Sequence, residues 1–200
     1  TSPRVLSPGL IFDSAPPGSY RLAWSPDGGT LLLDAIVEEG WDVVAINVTN
    51  GVFRRLTTHL EPDQNPAWSP DGSSIVFETH RSGNWDLYTM DANGENLRNL
   101  TRSDSTERRP AWSPDGTQVV YETARSGDFE IAVMTVGDRS ARELTDNIQL
   151  DTEAVWSLDG THLAFHVGSG AITIMDADGG NVYRLLGDDR AGGRVIWLAP

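Results

Sequence analysis

The chain has 200 residues, a formal net charge of −14 at pH 7 and no cysteine. So acidic a chain is a poor match for phosphate backbones and anionic membrane surfaces, and nucleic acid is therefore not an expected partner. The absence of cysteine excludes disulfides. No run approaches the roughly 18 apolar residues of a membrane-spanning helix, so membrane insertion is not expected either.

A short motif recurs at a fixed interval. It is Trp-Ser-Pro-Asp-Gly at Trp24, Trp68 and Trp112, and it returns as Trp-Ser-Leu-Asp-Gly at Trp156. These tryptophans lie 44 residues apart, and Trp197 follows 41 residues after the last of them. A fixed period of about 20–50 residues is typical of solenoids, propellers and other arrays. We therefore predict one domain, residues 1–200, containing four repeats at approximately residues 20–63, 64–107, 108–151 and 152–188.

The second repeat serves as the template for the predicted elements. Residues 65–68 form a short strand ending in Trp68, and Ser-Pro-Asp-Gly then favours a tight turn, because Pro fixes φ and Gly tolerates a positive φ. Residues 74–79 and 85–90 are β-branched, aromatic or alternating, and residues 96–101 form a more polar fourth strand. No stretch has a helical period. The sequence therefore predicts an all-β fold with one four-stranded antiparallel sheet per repeat.

The same pattern can be followed in chain order. A partial strand at residues 10–14 precedes the first repeat, and a further first strand at residues 193–198 follows the fourth. The fourth repeat is three residues shorter than the others, within the hairpin between its second and third strands. The chain thus begins with the outer strand of one unit and ends with the inner strand of another. Closure by a two-stranded hybrid blade and an incomplete ring, with the rest in a longer parent chain or a second copy, both remain open.

The repeat resembles the TolB-like, PD40 class of β-propeller repeats, which are related to WD40 blades. The resemblance rests on the Trp-Ser-Pro-Asp-Gly motif, the Arg-Ser-Gly turn, the acid-apolar-Tyr/Ala-x-Met strand and the closing Leu-Thr, over residues 20–186. It implies blades packed radially around a channel, with the tryptophan column in the interfaces, where truncating one Trp would cost roughly 3–5 kcal/mol. The column comprises Trp24, Trp68, Trp112, Trp156 and Trp197. The departures are Leu158 for Pro, Leu186 for Thr, and the absence of Arg from the first and fourth turns.

Several residues with chemical potential are better explained by structure. Because Asp27, Asp71, Asp115 and Asp159 recur in every repeat, we interpret them as turn residues and not as catalytic carboxylates. Arg81/Asp86 and Arg125/Glu130 flank a hairpin and are expected to pair across it, contributing about 0.2–1 kcal/mol.

Metal and nucleophile sites have weaker support. The segments at residues 91–96 and 176–181 have oxygen ligands at alternate positions, as calcium requires, but a hairpin turn explains them better. His162 and His166 share one strand face without cysteine or HExxH nearby, which disfavours zinc. Ser169 lacks the G-x-S-x-G context of a nucleophile elbow. We therefore expect no catalytic residue and no cofactor, with calcium as the least disfavoured alternative.

The positions that differ between repeats are the better candidates for function. They lie where the outer strand of one repeat leads into the inner strand of the next, on what the resemblance implies is one rim. The candidate partner-binding rim residues are Glu61, Asp63, Gln64, Glu107, Arg108, Arg109, Asp151 and Glu153.

The sequence thus favours a non-catalytic binding or scaffold module that engages a protein or peptide through these loops or the channel mouth. One alternative is an accessory propeller that gates or docks substrate for a hydrolase or kinase domain. Another is a structural subunit that self-associates through its terminal strands. The resemblance implies an extracytoplasmic location, periplasmic or secreted.

Overall fold

The structure is a computed structural model that describes residues 22–38, 40–168, 170–186 and 197. Two compact units divide the chain, residues 1–99 and residues 100–200, and each contains two sheets. The prediction of a single domain remains a prediction. The described residues include no helix of a length and apolar character that would allow it to cross a membrane.

Each sheet is a meander of four antiparallel strands, which confirms the predicted all-β fold with one blade per repeat. The first sheet comprises β1 (Ala23–Trp24), β2 (Thr30–Val37), β3 (Gly40–Asn47) and β4 (Phe53–Arg55). The second comprises β5 (Asp63–Trp68), β6 (Ser74–Thr79), β7 (Asp86–Asp91) and β8 (Arg98–Asn99). The third comprises β9 (Glu107–Trp112), β10 (Gln118–Thr123), β11 (Glu130–Thr135) and β12 (Ala141–Glu143). The fourth comprises β13 (Asp151–Trp156), β14 (His162–Val167), β15 (Ala171–Asp176) and β16 (Tyr183–Leu186).

The predicted terminal strands at residues 10–14 and 193–198 lie outside the described residues, apart from Trp197, which is half-buried. The fourth strands are shorter than the sequence suggests, since β8 has only two residues. The first strands of the second, third and fourth sheets begin earlier than predicted, at residues 63, 107 and 151.

An apolar cluster joins the two sheets of each unit. In the first unit it contains Leu32, Val43, Ala45, Leu56, Ile75, Phe77 and Met90. In the second it contains Val120, Ile131, Val133, Ala154, Trp156, Leu163, Phe165 and Met175. The opposite face of the first sheet is also apolar, with Leu33, Ala35, Val44 and Ile46. Sheets with two apolar faces need cover on both sides, as expected for stacked blades.

The tryptophan column is not uniformly buried. Trp156 is 8% exposed, belongs to the apolar cluster of its unit, and its Nε1–H donates to the carbonyl oxygen of Ala111 at 3.2 Å. Trp68 packs against the cluster of the first unit. Trp24, in contrast, is 60% exposed. The expectation of interface burial is therefore wrong for Trp24, which stands in the first sheet that the structure describes.

The Ser-Pro-Asp-Gly turns bring neighbouring sheets of a unit close together. Gly72 and Gly160 have φ angles of 71° and 72°, a conformation that favours glycine. A Cβ atom on Gly72 would lie 3.5 Å from Cδ of Pro26, and one on Gly160 would lie 3.5 Å from Cδ of Pro114. Within each unit, the glycine of the second sheet's turn thus faces the proline of the first sheet's turn.

Candidate functional site

A β-bulge interrupts each of the first strands β5, β9 and β13. The register with the second strand shifts between Gln64 and Ala67 in β5, and equivalently in β9 and β13. The bulged residues Asn65, Arg109 and Glu153 have positive φ angles of 51°, 51° and 58°. A bulge bends its strand and redirects nearby side chains. The bulges therefore determine where the candidate rim side chains point.

In the first unit, the rim residues divide into an exposed and a buried group. Glu61 is exposed, and its carboxylate lies 3.4 Å from Nδ1 of His80. Gln64 is half-buried, while Asp63 is fully buried and contacts Arg81 at 2.8 Å. The amide nitrogen of the Asn65 side chain donates to Glu78 at 2.8 Å, which fixes the bulge to the second strand.

In the second unit, the bulges carry charge. Nη1 of Arg109 lies 3.2 Å from carboxylate oxygens of both Glu122 and Glu153. The backbone N–H of Glu153 also donates to Glu122 at 2.8 Å, so this carboxylate links the first strand of the fourth sheet to the third sheet. The guanidinium of Arg108 lies 5.7 Å from the centroid of the Phe129 ring.

These positions refine the predicted rim. All the rim residues except Glu61 belong to strands and not to loops. Asp63, Glu107 and Asp151 are buried, whereas Glu61, Gln64, Arg108, Arg109 and Glu153 are at least partly accessible. A role in partner binding stays a prediction, and it now concerns these five accessible residues.

A second set of buried acids lies at or near the start of the third strands. Oγ1 of Thr57 accepts from the N–H of Val43 at 2.9 Å and donates to Asp42 at 3.2 Å. Thr145 makes the equivalent bonds to Ile131 and Glu130. This explains the closing Leu-Thr motif, because its hydroxyl joins the outer strand to a buried carboxylate. The fourth repeat has Ala171 and Leu186 at these positions, so acid and hydroxyl are missing together.

The two acid sets meet between neighbouring sheets of a unit, with different compensation. Burial raises the pKa of Asp42, the contact with Arg55 at 2.7 Å opposes this shift, and the charge of Asp63 adds to it. Burial also raises the pKa of Asp151, to about 6, while the nearby Thr145 hydroxyl and the hydrogen bond from Asn147 lower it and Glu130 raises it further. In the first unit, Arg55 and Arg81 thus neutralise Asp42 and Asp63. In the second unit, only amide and hydroxyl groups are seen to donate to Glu130 and Asp151 among the described residues.

The expected pairs Arg81/Asp86 and Arg125/Glu130 do not form. Arg81 instead binds Asp63 in the first strand of its own sheet, and Arg125 lies 3.8 Å from Glu143. Asp86 accepts a hydrogen bond from the Asn99 side chain at 2.8 Å. The prediction is wrong because Asp86 and Glu130 are buried beneath the fourth strand, away from the hairpin tip.

The four Asp-Gly turns share one hydrogen-bond pattern. Asp71 accepts from the Ser69 hydroxyl at 2.6 Å and from the N–H of Ser73 at 3.0 Å, and Asp27, Asp115 and Asp159 have equivalent partners. The serine bond, followed by the backbone bond, lowers the pKa of all four carboxylates, to about 2 for Asp71 and Asp159. These contacts close the turn.

The segments considered for metals make local contacts. Asn96 donates to Asp91, and Asn181 donates to Asp176, so these side chains close their hairpins. His162 lies beside Thr161 and Asp176, and His166 is buried. Within the described ranges, no three His, Cys, Asp or Glu side chains come together as metal ligands would.

The buried acids of the second strands are not among the predicted site residues. Asp34, Glu78 and Glu122 are all buried, and His166 holds the equivalent place in the fourth sheet. Their spacing of 44 residues was available as a signal. It was overlooked because an acid within a strand suggests a solvent-facing position.

Comparison with known proteins relates this architecture to a known family. The sequence matches the family model described as the TolB beta propeller domain, PD40, over residues 15–109 and again over residues 106–194. No curated protein has a matching sequence.

Solved structures with this fold include two TolB proteins. The putative TolB from Agrobacterium tumefaciens is 28% identical with a TM-score of 0.75, covering 82% of this chain and 63% of that one. TolB from Acinetobacter baumannii is 25% identical with a TM-score of 0.70, covering 82% of this chain and 42% of that one. The chain thus spans less than two thirds of either protein.

An enzyme also shares the fold. A puromycin-hydrolyzing peptidase from Mycobacterium tuberculosis is 21% identical with a TM-score of 0.73, covering 91% of this chain and 30% of that one. At this identity the likeness concerns the fold alone. The family model spans nearly the whole sequence, and four antiparallel blades carry its motifs: the chain belongs to the TolB-like, PD40 family of β-propellers.

Proposed function

We propose that this chain is a non-catalytic binding module that engages a protein or peptide through the accessible side chains at the starts of its first strands. One observation carries the proposal: accessible side chains that differ between repeats stand beside buried acids that recur. Glu61, Gln64, Arg108 and Glu153 vary, while Asp63, Glu107 and Asp151 recur beneath them. A variable surface on a repeated frame is typical of binding proteins built from repeats.

The charge of the chain supports a cationic or mixed-charge partner. The net charge of −14 favours positively charged segments and speeds their association at low salt. From the family resemblance we also propose that the protein acts outside the cytoplasm, in the periplasm or as a secreted protein.

Selection of displayed peptides against the isolated chain tests this function. Selected peptides should bind the unchanged chain and lose affinity for Glu61→Lys and Gln64→Lys. Glu95→Lys is the matched control, because Glu95 is exposed in the turn between β7 and β8 of the same unit. Failure to select any binder, or equal loss in the control, would remove the proposal, as would turnover of peptide or glycan substrates by the chain.

Two alternatives remain. The first alternative is an accessory domain of a larger enzyme, which requires a hydrolase or kinase domain in the parent gene. The strand pattern at residues 10–14 and 193–198 favours self-association, which native mass measurement at micromolar concentration detects as species above the 21.8 kDa chain.

A further inference from the structure

The hairpin between the second and third strands differs between the second and fourth sheets. Residues 80–85 connect Thr79 to Asp86, whereas residues 168–170 connect Val167 to Ala171. The flanking pairs nevertheless correspond, since Phe77 faces Tyr88 and Phe165 faces Thr173. The first strand also keeps its place, with Asp63 opposite Thr79 and Asp151 opposite Val167. The fourth sheet therefore retains the surroundings of Arg81 but not the arginine.

In the second sheet, Arg81 fills a well-defined place. Its Nη2 lies 2.8 and 2.9 Å from the two carboxylate oxygens of Asp63, and its Nε donates to the Thr79 hydroxyl at 3.1 Å. The guanidinium carbon lies 5.6 Å from the Phe77 ring centroid and 5.0 Å from that of Tyr88. The Arg81 side chain is 12% exposed, so its charge is both paired and largely buried.

In the fourth sheet, the same place is a pocket. It has a volume of about 480 Å³ and is lined by the four residues equivalent to those around Arg81, together with Asn147 and Gln149. The four equivalents are Asp151, Phe165, Val167 and Thr173. This volume falls within the roughly 300–1,000 Å³ of small-ligand sites and exceeds what one arginine side chain needs.

Asp151 gives the pocket an unsatisfied acceptor. Its side chain is fully buried, and its Oδ2 accepts from the Asn147 side chain at 2.7 Å. Its Oδ1 is buried without a hydrogen-bond partner among the described residues. An unpaired buried carboxylate oxygen is costly, and a charged donor compensates it best.

We propose that this pocket binds the guanidinium group of an arginine side chain presented by the partner protein or peptide, with Asp151 as its carboxylate. The inference rests on the proposed binding function and specifies the chemistry of the partner. Arginine is favoured over lysine because its planar group binds a carboxylate in a bidentate manner and stacks on an aromatic face, here Phe165. Gln149 also lines the pocket, and its side chain is exposed.

Three other charged groups face Asp151 or its pocket. Glu130 lies beside Asp151 from β11, while Asp146 and Arg184 line the pocket. The two acids favour a cationic ligand, whereas Arg184 opposes it. Binding should therefore weaken below about pH 6, as Asp151 takes up a proton, and should strengthen in Arg184→Gln.

The test uses Nα-acetyl-arginine methylamide as the probe and the citrulline analogue as its uncharged match. Titration followed by two-dimensional NMR should give shifts centred on residues 147–151 and 165–173 with the arginine probe only. Asp151→Asn should weaken binding at least tenfold. In a further variant, the sequence of residues 80–85 replaces residues 168–170 and so supplies an arginine from the chain itself. This variant should no longer bind the arginine probe.

Each contrary result is decisive. Equal shifts with the citrulline analogue, or unchanged affinity in a folded Asp151→Asn, would overturn the arginine pocket. Selected peptides that bind but lack arginine and ignore Asp151→Asn would overturn it while leaving the proposed function intact. If the arginine probe binds but no peptide binder can be selected, the arginine pocket stands and the proposed binding function is overturned.

Discussion

Replacing Asp151 with Asn measures what a buried carboxylate without a cation costs this fold. Burial raises the pKa of Asp151 from its ordinary value of 3.8 to about 6. A shift of this size corresponds to roughly 3 kcal/mol of stability lost at pH 7. Asn keeps the shape and loses the charge, so the free energy of unfolding at pH 7 should rise, by up to roughly 3 kcal/mol.

The pH dependence has a defined sign. Because the pKa of Asp151 is higher in the folded chain than in the unfolded chain, the folded chain binds the proton more tightly. The stability associated with Asp151 is therefore full below about pH 4 and is lost as the pH rises through about 6. The Asn variant lacks this loss, so its advantage over the unchanged chain should appear at pH 7 and vanish at pH 4.

The equivalent substitution in the first unit should have the opposite sign. Asp63→Asn removes the carboxylate that binds Arg81 and leaves a largely buried guanidinium without its partner. Loss of such a charged pair costs roughly 2 kcal/mol or more. Asp63→Asn should therefore destabilise the chain at pH 7.

Urea unfolding followed by far-ultraviolet circular dichroism at pH 4 and pH 7 measures all three chains. The reasoning fails if Asp151→Asn is destabilising at pH 7, or if the two variants change the free energy of unfolding in the same direction.

Three further experiments test the fold and its turns. Trp156→Ala should cost roughly 3–5 kcal/mol in urea unfolding because Trp156 is buried, whereas Trp24→Ala should cost less than about 1 kcal/mol; similar losses would contradict the burial described here. Thr145→Val should cost roughly 1–3 kcal/mol because it removes the hydroxyl that joins Glu130 to the N–H of Ile131, and Thr145→Ser should restore most of it. NMR titration should give Asp71 a midpoint of about 2, with the turn's stability present above pH 4 and lost as the pH falls through that midpoint; Ser69→Ala should raise it.

The sequence was sufficient to predict the blades because the information that defines them is local. The period of 44 residues, the Pro-Asp-Gly turns and the alternating strands each act within one repeat. The predicted strands at residues 74–79, 118–123 and 162–167 match the structure. The shortness of β8 was not predicted: it pairs only with Tyr88 and Thr89, although β7 extends from Asp86 to Asp91.

The site was less accessible to this reasoning because its contacts are not local. The partner of Arg81 lies 18 residues earlier, in the first strand, and not across the hairpin. The burial of Asp63 and Asp151 depends on the neighbouring strand and sheet, which spacing alone does not reveal. The three-residue deletion in the fourth repeat was visible in the sequence, but its consequence for Asp151 required the geometry of the second sheet.

The contact between successive turns has a consequence for how such chains evolve. Pro26 meets Gly72 in the first unit and Pro114 meets Gly160 in the second, and in each pair the two residues come from corresponding turn segments, so one turn segment can carry both halves of the contact. A tandem duplication therefore copies both halves at once, and the new turn fits between the old ones without a compensating substitution. Leu158, which replaces proline in the fourth turn, lacks one half, so a copy of this repeat would fit less well before another blade than after one.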